Sequence, residues 1–474
     1  MNEELAQNAP AWVRVREALE GFARRSPSRF AVLIFAAMIL VFTAIFAAPF
    51  SGANNTPTAL ADALFTAVST ICVSGLSTVD MATHWSPLGN AFVFIGTQIG
   101  AIGVLTLASV LGAIISGGLG LRAKLMIASD TNPLRLHAGP VPEGQAIKLG
   151  DVGGLVVSVA VSLFAIETVI AILMMPSVMA AGYPVGESIW YSFYYAASAF
   201  TNTGFTPNIG GLAIFQGDFW FLSLIMIAVM LGSFGFPVLY ALRRHLFHPR
   251  KWSLHVKLTL TTWWLLWAGG ILAFLIVSPI GSTAFRAFDA GQRIFEAAFL
   301  STMARSGGFN IVDISQLDTA TLLLTDMLMF IGGGSASTAG GIKVTTFAIL
   351  LLAAVAEARG RSSIEVFRRR VPSDVLRLGV SVVLWGATTV ALGTLILSNI
   401  TDAPLEYILF DVISGFATVG MSTGVTASLP DSGVYVMAAI MFMGRVGTVT
   451  LAAALAASQV GQFFNHPEER PIVG

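Results

Sequence analysis

The chain has 474 residues, 55% of them hydrophobic and only 11% charged, with a mean hydropathy of +0.78. Soluble domains carry about a quarter charged residues, so the composition argues against a water-soluble enzyme or nucleic-acid binder. The 26 Lys and Arg balance the 26 Asp and Glu, so no global field points to an anionic partner, and the single Cys72 excludes intramolecular disulfides and cysteine-rich metal sites.

The first apolar run begins near Phe30, behind Arg14, Arg16, Arg24, Arg25 and Arg29, with no small-residue cleavage site, and reads as a first span rather than a removed signal peptide. A helix needs about 20 apolar residues to cross a bilayer core. Long runs lie at about Phe30–Phe50, Leu88–Ser116, Val152–Met179, Phe219–Leu242, Val256–Ile280, Leu322–Ala356, Val375–Ile400 and Val434–Ala457, which predicts eight spans. Between each odd and even member sits a run too short to cross: Ala59–Cys72, Ser188–Phe200, Ile294–Ala304 and Tyr407–Ala417. Each ends in a Gly/Ser/Thr/Asn segment, the pattern of a half-helix that enters the membrane and returns as extended chain.

Basic residues cluster before span one and after the even-numbered spans, as at Arg122 and Lys124, Arg243 and Arg244, and Arg359 to Arg377. The positive-inside rule makes that side the cytoplasm and places both termini there. The predicted layout is an amino-terminal segment 1–29, repeat A 30–117, a linker 118–151, repeat B 152–243, a linker 244–255, repeat C 256–357, a linker 358–374, repeat D 375–461 and a tail 462–474.

Aligning one glycine per polar loop gives a shared register. Gly75, Gly204, Gly308 and Gly420 each follow a hydroxyl by six residues (Ser69, Ser198, Thr302, Ser414). Each precedes a bulky apolar residue (Leu76, Phe205, Phe309, Met421) and then a small polar one (Ser77, Thr206, Asn310, Ser422). One such loop is ordinary helix packing, where small residues are common. Four in the same order on the outer side predict an all-α membrane protein of four helix–loop–helix repeats around one pseudo-fourfold pore. A dehydrating cation such as potassium requires a ring of oxygens, which backbone carbonyls supply; aiming them at one axis takes positive φ, cheap only for glycine. The C-terminal ends of the short helices would bring partial negative charge to the ion without an acidic side chain.

Cys72-Val-Ser-Gly75-Leu, Asn202-Thr-Gly204-Phe, Ala304-Arg-Ser-Gly-Gly308-Phe-Asn310 and Ala417-Thr-Val-Gly420-Met-Ser-Thr resemble the filters of the Trk/Ktr/HKT superfamily of potassium transporters, and the resemblance runs from about Phe30 to Gly461. The eight-span length is closer to the Ktr-type membrane subunit. The resemblance implies an ion filter of Val73, Ser74, Gly75, Leu76, Asn202, Thr203, Gly204, Phe205, Ser306, Gly307, Gly308, Phe309, Thr418, Val419, Gly420 and Met421, with potassium at its carbonyls. Gly75 stands where some sodium-carrying plant relatives have serine, which argues for potassium. Gly307 doubles the third glycine and leaves the register there open by one residue. The resemblance further implies potassium uptake across the inner (cytoplasmic) membrane of a prokaryote, a homodimer with one pore per chain, and sodium as a modulator. Family members of this type associate with a cytoplasmic nucleotide-binding ring, so the resemblance implies that ATP or ADP control resides in such a separate subunit, this chain showing no Rossmann segment.

The sixth span is interrupted by Gly332, Gly333, Gly334, Ser335, Ala336, Ser337, Thr338, Ala339, Gly340 and Gly341, with Lys343 close behind. Five glycines in ten residues cannot hold a regular helix, and non-helical backbone at mid-membrane is tolerated only against protein or a watery path. The segment therefore reads as a flexible barrier, in agreement with the family's intramembrane gating loop. A phosphate loop fails on spacing, since Ile342 precedes the lysine.

Arg445 interrupts span eight; it either pairs with a buried acid such as Glu167 or Asp326 or lines the pore as a cation, which the resemblance favours, and Lys343 acts likewise. Asp62, Glu187, Glu296 and Glu406 read as capping residues at the starts of the short helices, and Arg305 as a cross-link to filter carbonyls. A sodium- or proton-coupled cation symporter built on the same filter stays open, as does an intramembrane enzyme at lower weight: no H-E-x-x-H occurs, and His245 and His248 belong to a basic loop.

Overall fold

The computed structural model describes residues 27–117, 149–281, 289–361 and 363–448. The segment before Pro27, the linker stretch 118–148, the end of span eight from 449 and the tail 462–474 lie outside the described residues.

The long apolar runs are helices α1 (Pro27–Ala47), α3 (Pro87–Gly117), α4 (Leu149–Ala180) and, further on, α8 (Leu254–Gly281) and α12 (Ser373–Leu397). The short runs are helices too: α2 (Leu60–Ile71), α5 (Val185–Phe200), α9 (Ala290–Met303) and α13 (Leu405–Phe416). At 1.5 Å per residue these are about 18–24 Å long, short of a bilayer core. Segments 29–47, 157–180, 254–277 and 373–397 are each long and apolar enough to cross a membrane. Side chains such as Leu40, Val161, Leu265 and Leu384 point outward from these helices, whereas Phe46, Phe65, Tyr195, Phe221, Phe410 and Phe416 are fully buried. The short helices are thus wrapped by the long ones.

The fourth span is not the single helix expected of Phe219–Leu242. It runs as α6 (Phe219–Phe234), bends by 102° and resumes as α7 (Phe236–His245). Gly235 takes φ +86°, and Pro237 falls in the first turn of α7, where a missing N–H costs nothing. Phe236 N donates instead to Ala336 O at 3.1 Å, so the bend is held by the broken sixth span.

That span is α10 (Thr319–Phe330), the glycine loop, and α11 (Val344–Ala358). The loop's neck is closed by Gly332 N to Ile342 O (2.9 Å), Ile342 N to Phe330 O (3.1 Å) and Val344 N to Gly333 O (3.0 Å). The last hairpin continues from α13 through a short α14 (Val425–Ser428) to α15 (Asp431–Phe442), which runs into a π-turn, Met443–Gly447. Within the basic stretch 358–374 the chain forms a two-stranded antiparallel hairpin, β1 (Ile364–Val366) and β2 (Arg369–Val371), turning through Phe367 and Arg368 at positive φ.

The glycine-specific bend gives a direct test. A Cβ at Gly235 would stand 2.7 Å from Ser335 O and 2.8 Å from Ala336 O, whereas one at Gly269 in α8 meets nothing within 4 Å. Gly235→Ala should therefore cost about 1–3 kcal/mol, seen as a lower unfolding midpoint of detergent-purified protein, and Gly269→Ala should leave it unchanged or higher.

Candidate ion-conduction site

Each short helix ends in a loop with one backbone pattern. Gly75, Gly204, Gly308 and Gly420 have φ of +86°, +85°, +77° and +101°. The residue two positions before each, Val73, Asn202, Ser306 and Thr418, is also at positive φ (56°, 61°, 75° and 47°), and the residue between is not. Alternating hand in successive residues turns their carbonyls to one side of the chain. The glycines were legible as positive-φ positions. The four non-glycine partners were not, since left-handed backbone is costly for them and for a β-branched residue such as Val73 most of all. The same pattern fixes the third loop, where Gly308 and not Gly307 carries positive φ.

The structure brings the four glycines to one place. A methyl group on Gly75 would fall 1.7 Å from Thr203 O and 3.2 Å from the Gly420 Cα. One on Gly204 would lie 2.7 Å from the Gly308 Cα, one on Gly308 2.4 Å from Val419 O, and one on Gly420 2.7 Å from Ser74 O. Loop A thus meets B, B meets C, C meets D and D meets A again. No side chain fits at these Cα positions, and the atoms met include, at each glycine, a main-chain oxygen of the residue preceding a neighbouring loop's glycine: Thr203, Gly307, Val419 and Ser74 in turn.

The hydroxyl six residues before the glycine braces the loop. Ser69 Oγ donates to Leu76 O (2.6 Å) and Ser198 Oγ to Phe205 O (2.8 Å), while Ser414 Oγ accepts from Gly420 N (3.2 Å). Thr302 differs: it donates back to Ala298 O and accepts from Trp267 Nε1 at 2.9 Å. Sequence reasoning missed a second brace three residues earlier. Asp411, fully buried on α13, accepts from Ser422 Oγ (2.6 Å), Thr423 N (2.8 Å) and Oγ1 (3.0 Å), and Thr426 N (2.8 Å) and Oγ1 (2.6 Å). Tyr195 at the matching position of α5 donates to Asn208 Oδ1. The hydroxyl run after Gly420 was the available signal.

The glycine loop of the sixth span is buried directly against these loops. Thr338 Oγ1 donates to Phe200 O (3.1 Å) and Asn202 Oδ1 (3.0 Å), and Gly340 N donates to Ser306 Oγ (3.0 Å), which itself donates to Thr418 O (2.9 Å). A Cβ on Gly340 would sit 2.2 Å from Ala417 O. On its other side Gly334 N donates to Ser233 O (2.7 Å), Ser335 Oγ meets Thr345 Oγ1 (2.9 Å), and Lys343 Nζ donates to Ala339 O (2.5 Å) within the loop. Gly332, Gly333 and Gly341 form its neck.

Several side chains lie elsewhere than expected. Arg305 does not reach a filter carbonyl. Its Nη2 donates to Gly332 O (3.2 Å) in the glycine loop, with the guanidinium 4.8 Å from the Trp263 ring centroid. Arg445 does not meet Glu167, which accepts from Gln98 Nε2 (2.8 Å); Arg445 Nη1 donates to Thr418 Oγ1 (3.4 Å) from the π-turn. Asp62, Glu187 and Glu406 lie in the first turn of α2, α5 and α13, at the positive end of each helix as expected, but they are not the cap residues: those are Ala59, Pro184 and Pro404, with no side-chain cap bond. Asp62 accepts from Thr78 Oγ1 (2.6 Å). Glu296 is mid-helix, and Asp289 caps α9 through a capping box with Gln292.

These features define a helical membrane protein whose short helices carry loops to a common point between its spans. The chain belongs to the TrkH family of cation transport proteins, whose profile matches residues 8–464. It is 30% identical over 457 residues to Ktr system potassium uptake protein D of Bacillus subtilis, covering 95% of this chain and 97% of that one. It is 28% identical to the potassium/sodium uptake protein NtpJ of Enterococcus hirae, with 95% and 98% covered. Its fold is similar to that of the potassium transporter TrkH from Vibrio parahaemolyticus, with a TM-score of 0.68 at 16% identity over 90% of this chain and 84% of that one.

Asp411 carries the sharpest prediction of this geometry. Asp411→Ala leaves five donors, two of them buried N–H groups, without their acceptor, and should cost about 3 kcal/mol or more in thermal unfolding. Asp411→Asn, which keeps one acceptor oxygen, should fall between.

Proposed function

We propose that the chain takes up potassium, or potassium together with sodium, through a path whose narrowest part is the four-loop ring from Val73–Leu76, Asn202–Phe205, Ser306–Phe309 and Thr418–Met421. The observation that carries this reading is the closed A–B–C–D order of glycines against neighbouring carbonyls. A stripped alkali ion needs oxygens on all sides, and a ring of main-chain oxygens held by buried hydroxyls and Asp411 offers them without a fixed negative charge that would hold the ion too tightly. The names of relatives that share nearly the full length, a potassium and a potassium/sodium uptake protein, support the same cargo.

The loop 332–341 is the gate of this path, set against loops B, C and D, and Arg445 and Lys343 are cations beneath the ring that limit permeation. The chain acts as one of two copies in the cytoplasmic membrane, repeats A to D each forming one sector of a pseudo-fourfold pore. Its basic inner stretches, including the hairpin Ile364–Val371, meet a separate nucleotide-binding ring, through which ATP or ADP acts.

Two flux measurements in proteoliposomes test this. Gly75→Ser places a side chain where Thr203 O stands and should cut potassium-over-sodium discrimination by about tenfold or more; unaltered discrimination removes the filter assignment. Removing residues 332–341 should raise potassium flux, and unchanged or abolished flux in correctly inserted protein counts against the gate.

A further inference from the structure

Two consecutive residues of loop C hold the two ends of the glycine loop. Arg305 binds its first residue through Gly332 O (3.2 Å), and Ser306 Oγ receives Gly340 N (3.0 Å). These ends are adjacent: a Cβ on Gly332 would lie 1.8 Å from Gly340 O. The same Ser306 hydroxyl donates to Thr418 O in loop D, so one side chain touches two filter loops and the gate.

Arg305 is completely buried, yet it is poorly satisfied. Its Cζ lies over the Trp263 ring, Nη2 makes the bond to Gly332 O, and among the described residues Nε and Nη1 have no hydrogen-bond partner. A guanidinium presents five N–H donors, and leaving them unpaired away from water is expensive. Among the described residues the bond to Gly332 O is the one hydrogen bond of this buried charge, so a neck that moves away strands Arg305 wholly unpaired. Trp263 supplies a flat apolar seat on α8 that favours the planar cation over an ammonium.

We propose that Arg305 is the latch of the gate: a positioning residue that ties the neck of the glycine loop to loop C, so that the ion held by the filter and the position of the gate are coupled through one peptide. This rests on the filter-and-gate reading above. Ser306 sits at positive φ beside Arg305, within the stretch whose carbonyls serve the ion. An ion that orders loop C fixes both residues and with them both ends of the gate; an empty filter lets loop C turn and frees the neck.

The experiment follows the gate itself as well as flux. Ser335→Cys in the glycine loop is labelled with a polar thiol reagent in proteoliposomes containing potassium or choline, with buried Cys72 as the unreactive reference. With Arg305 in place, labelling should be about tenfold slower in potassium than in choline, the factor expected of one charged hydrogen bond. Arg305→Met should label fast in both and raise potassium flux, Arg305→Lys should recover part of the difference, and Trp263→Leu should resemble Arg305→Met more mildly.

Equal labelling of the parent and Arg305→Met in both salts overturns the latch, as does a potassium effect that survives Arg305→Met. If Arg305→Met does not insert or fold, Trp263→Leu and Arg305→Lys decide by the same criterion. A parent that carries no potassium, yet whose Ser335→Cys labelling accelerates on losing Arg305, would sink the transport reading and the ion coupling with it, and leave only the tie between Arg305 and the neck.

Discussion

The constraint on which this structure depends is that every main-chain N–H and C=O between the spans must find a partner, because hydrocarbon offers none. The chain leaves helical geometry in the four loops after α2, α5, α9 and α13, at Gly235, and between α10 and α11. These irregular segments satisfy one another. Gly334 N uses Ser233 O, Phe236 N uses Ala336 O, Gly340 N uses Ser306 Oγ and Ser306 Oγ uses Thr418 O. Breaks far apart in sequence therefore belong at one depth and one place. The bend of the fourth span and the glycine loop of the sixth form a single polar joint inside an apolar shell.

Buried charge follows the same logic with a different outcome. Asp411 is saturated by five donors, whereas among the described residues Arg305 and Arg445 each keep two nitrogens without a partner and are held by a single oxygen each. Two unit charges 4 Å apart interact by about 4 kcal/mol at an effective dielectric near 20. Among the described residues neither guanidinium is paired with a carboxylate, and Glu167 is bound instead by Gln98 Nε2, so both leave positive potential beside the loop ring.

Much of this was legible in the sequence because it follows from period and residue type. The short helices fall within a few residues of the short apolar runs, and the four glycines and the interrupted sixth span lie where composition put them. What was hidden depends on contacts across the chain. Phe219–Leu242 reads as one apolar run because glycine and proline, here Gly232, Gly235 and Pro237, are frequent in membrane helices; only the oxygens of Ser335 and Ala336 make the bend necessary. Arg305 is three residues from the glycine, which suggested a filter carbonyl, but its long side chain reaches past loop C to Gly332. Acidic residues near helix starts suggested caps, yet proline and alanine occupy the cap positions of three of the four short helices.

The four residues two places before the glycines show how near-repeats acquire an asymmetric job. All four pay for positive φ, but their side chains differ: Asn202, Ser306 and Thr418 are polar, and Val73 is not. Asn202 meets Thr338 of the glycine loop and Ser233 at the bend, Ser306 meets Gly340, and the Thr418 side chain crowds Gly340 while accepting from Arg445. Val73 has no donor or acceptor on its side chain to give. Polar side chains at this position thus hydrogen-bond the glycine loop in repeats B and C, the one in D lies against it, and the valine of A offers no such bond.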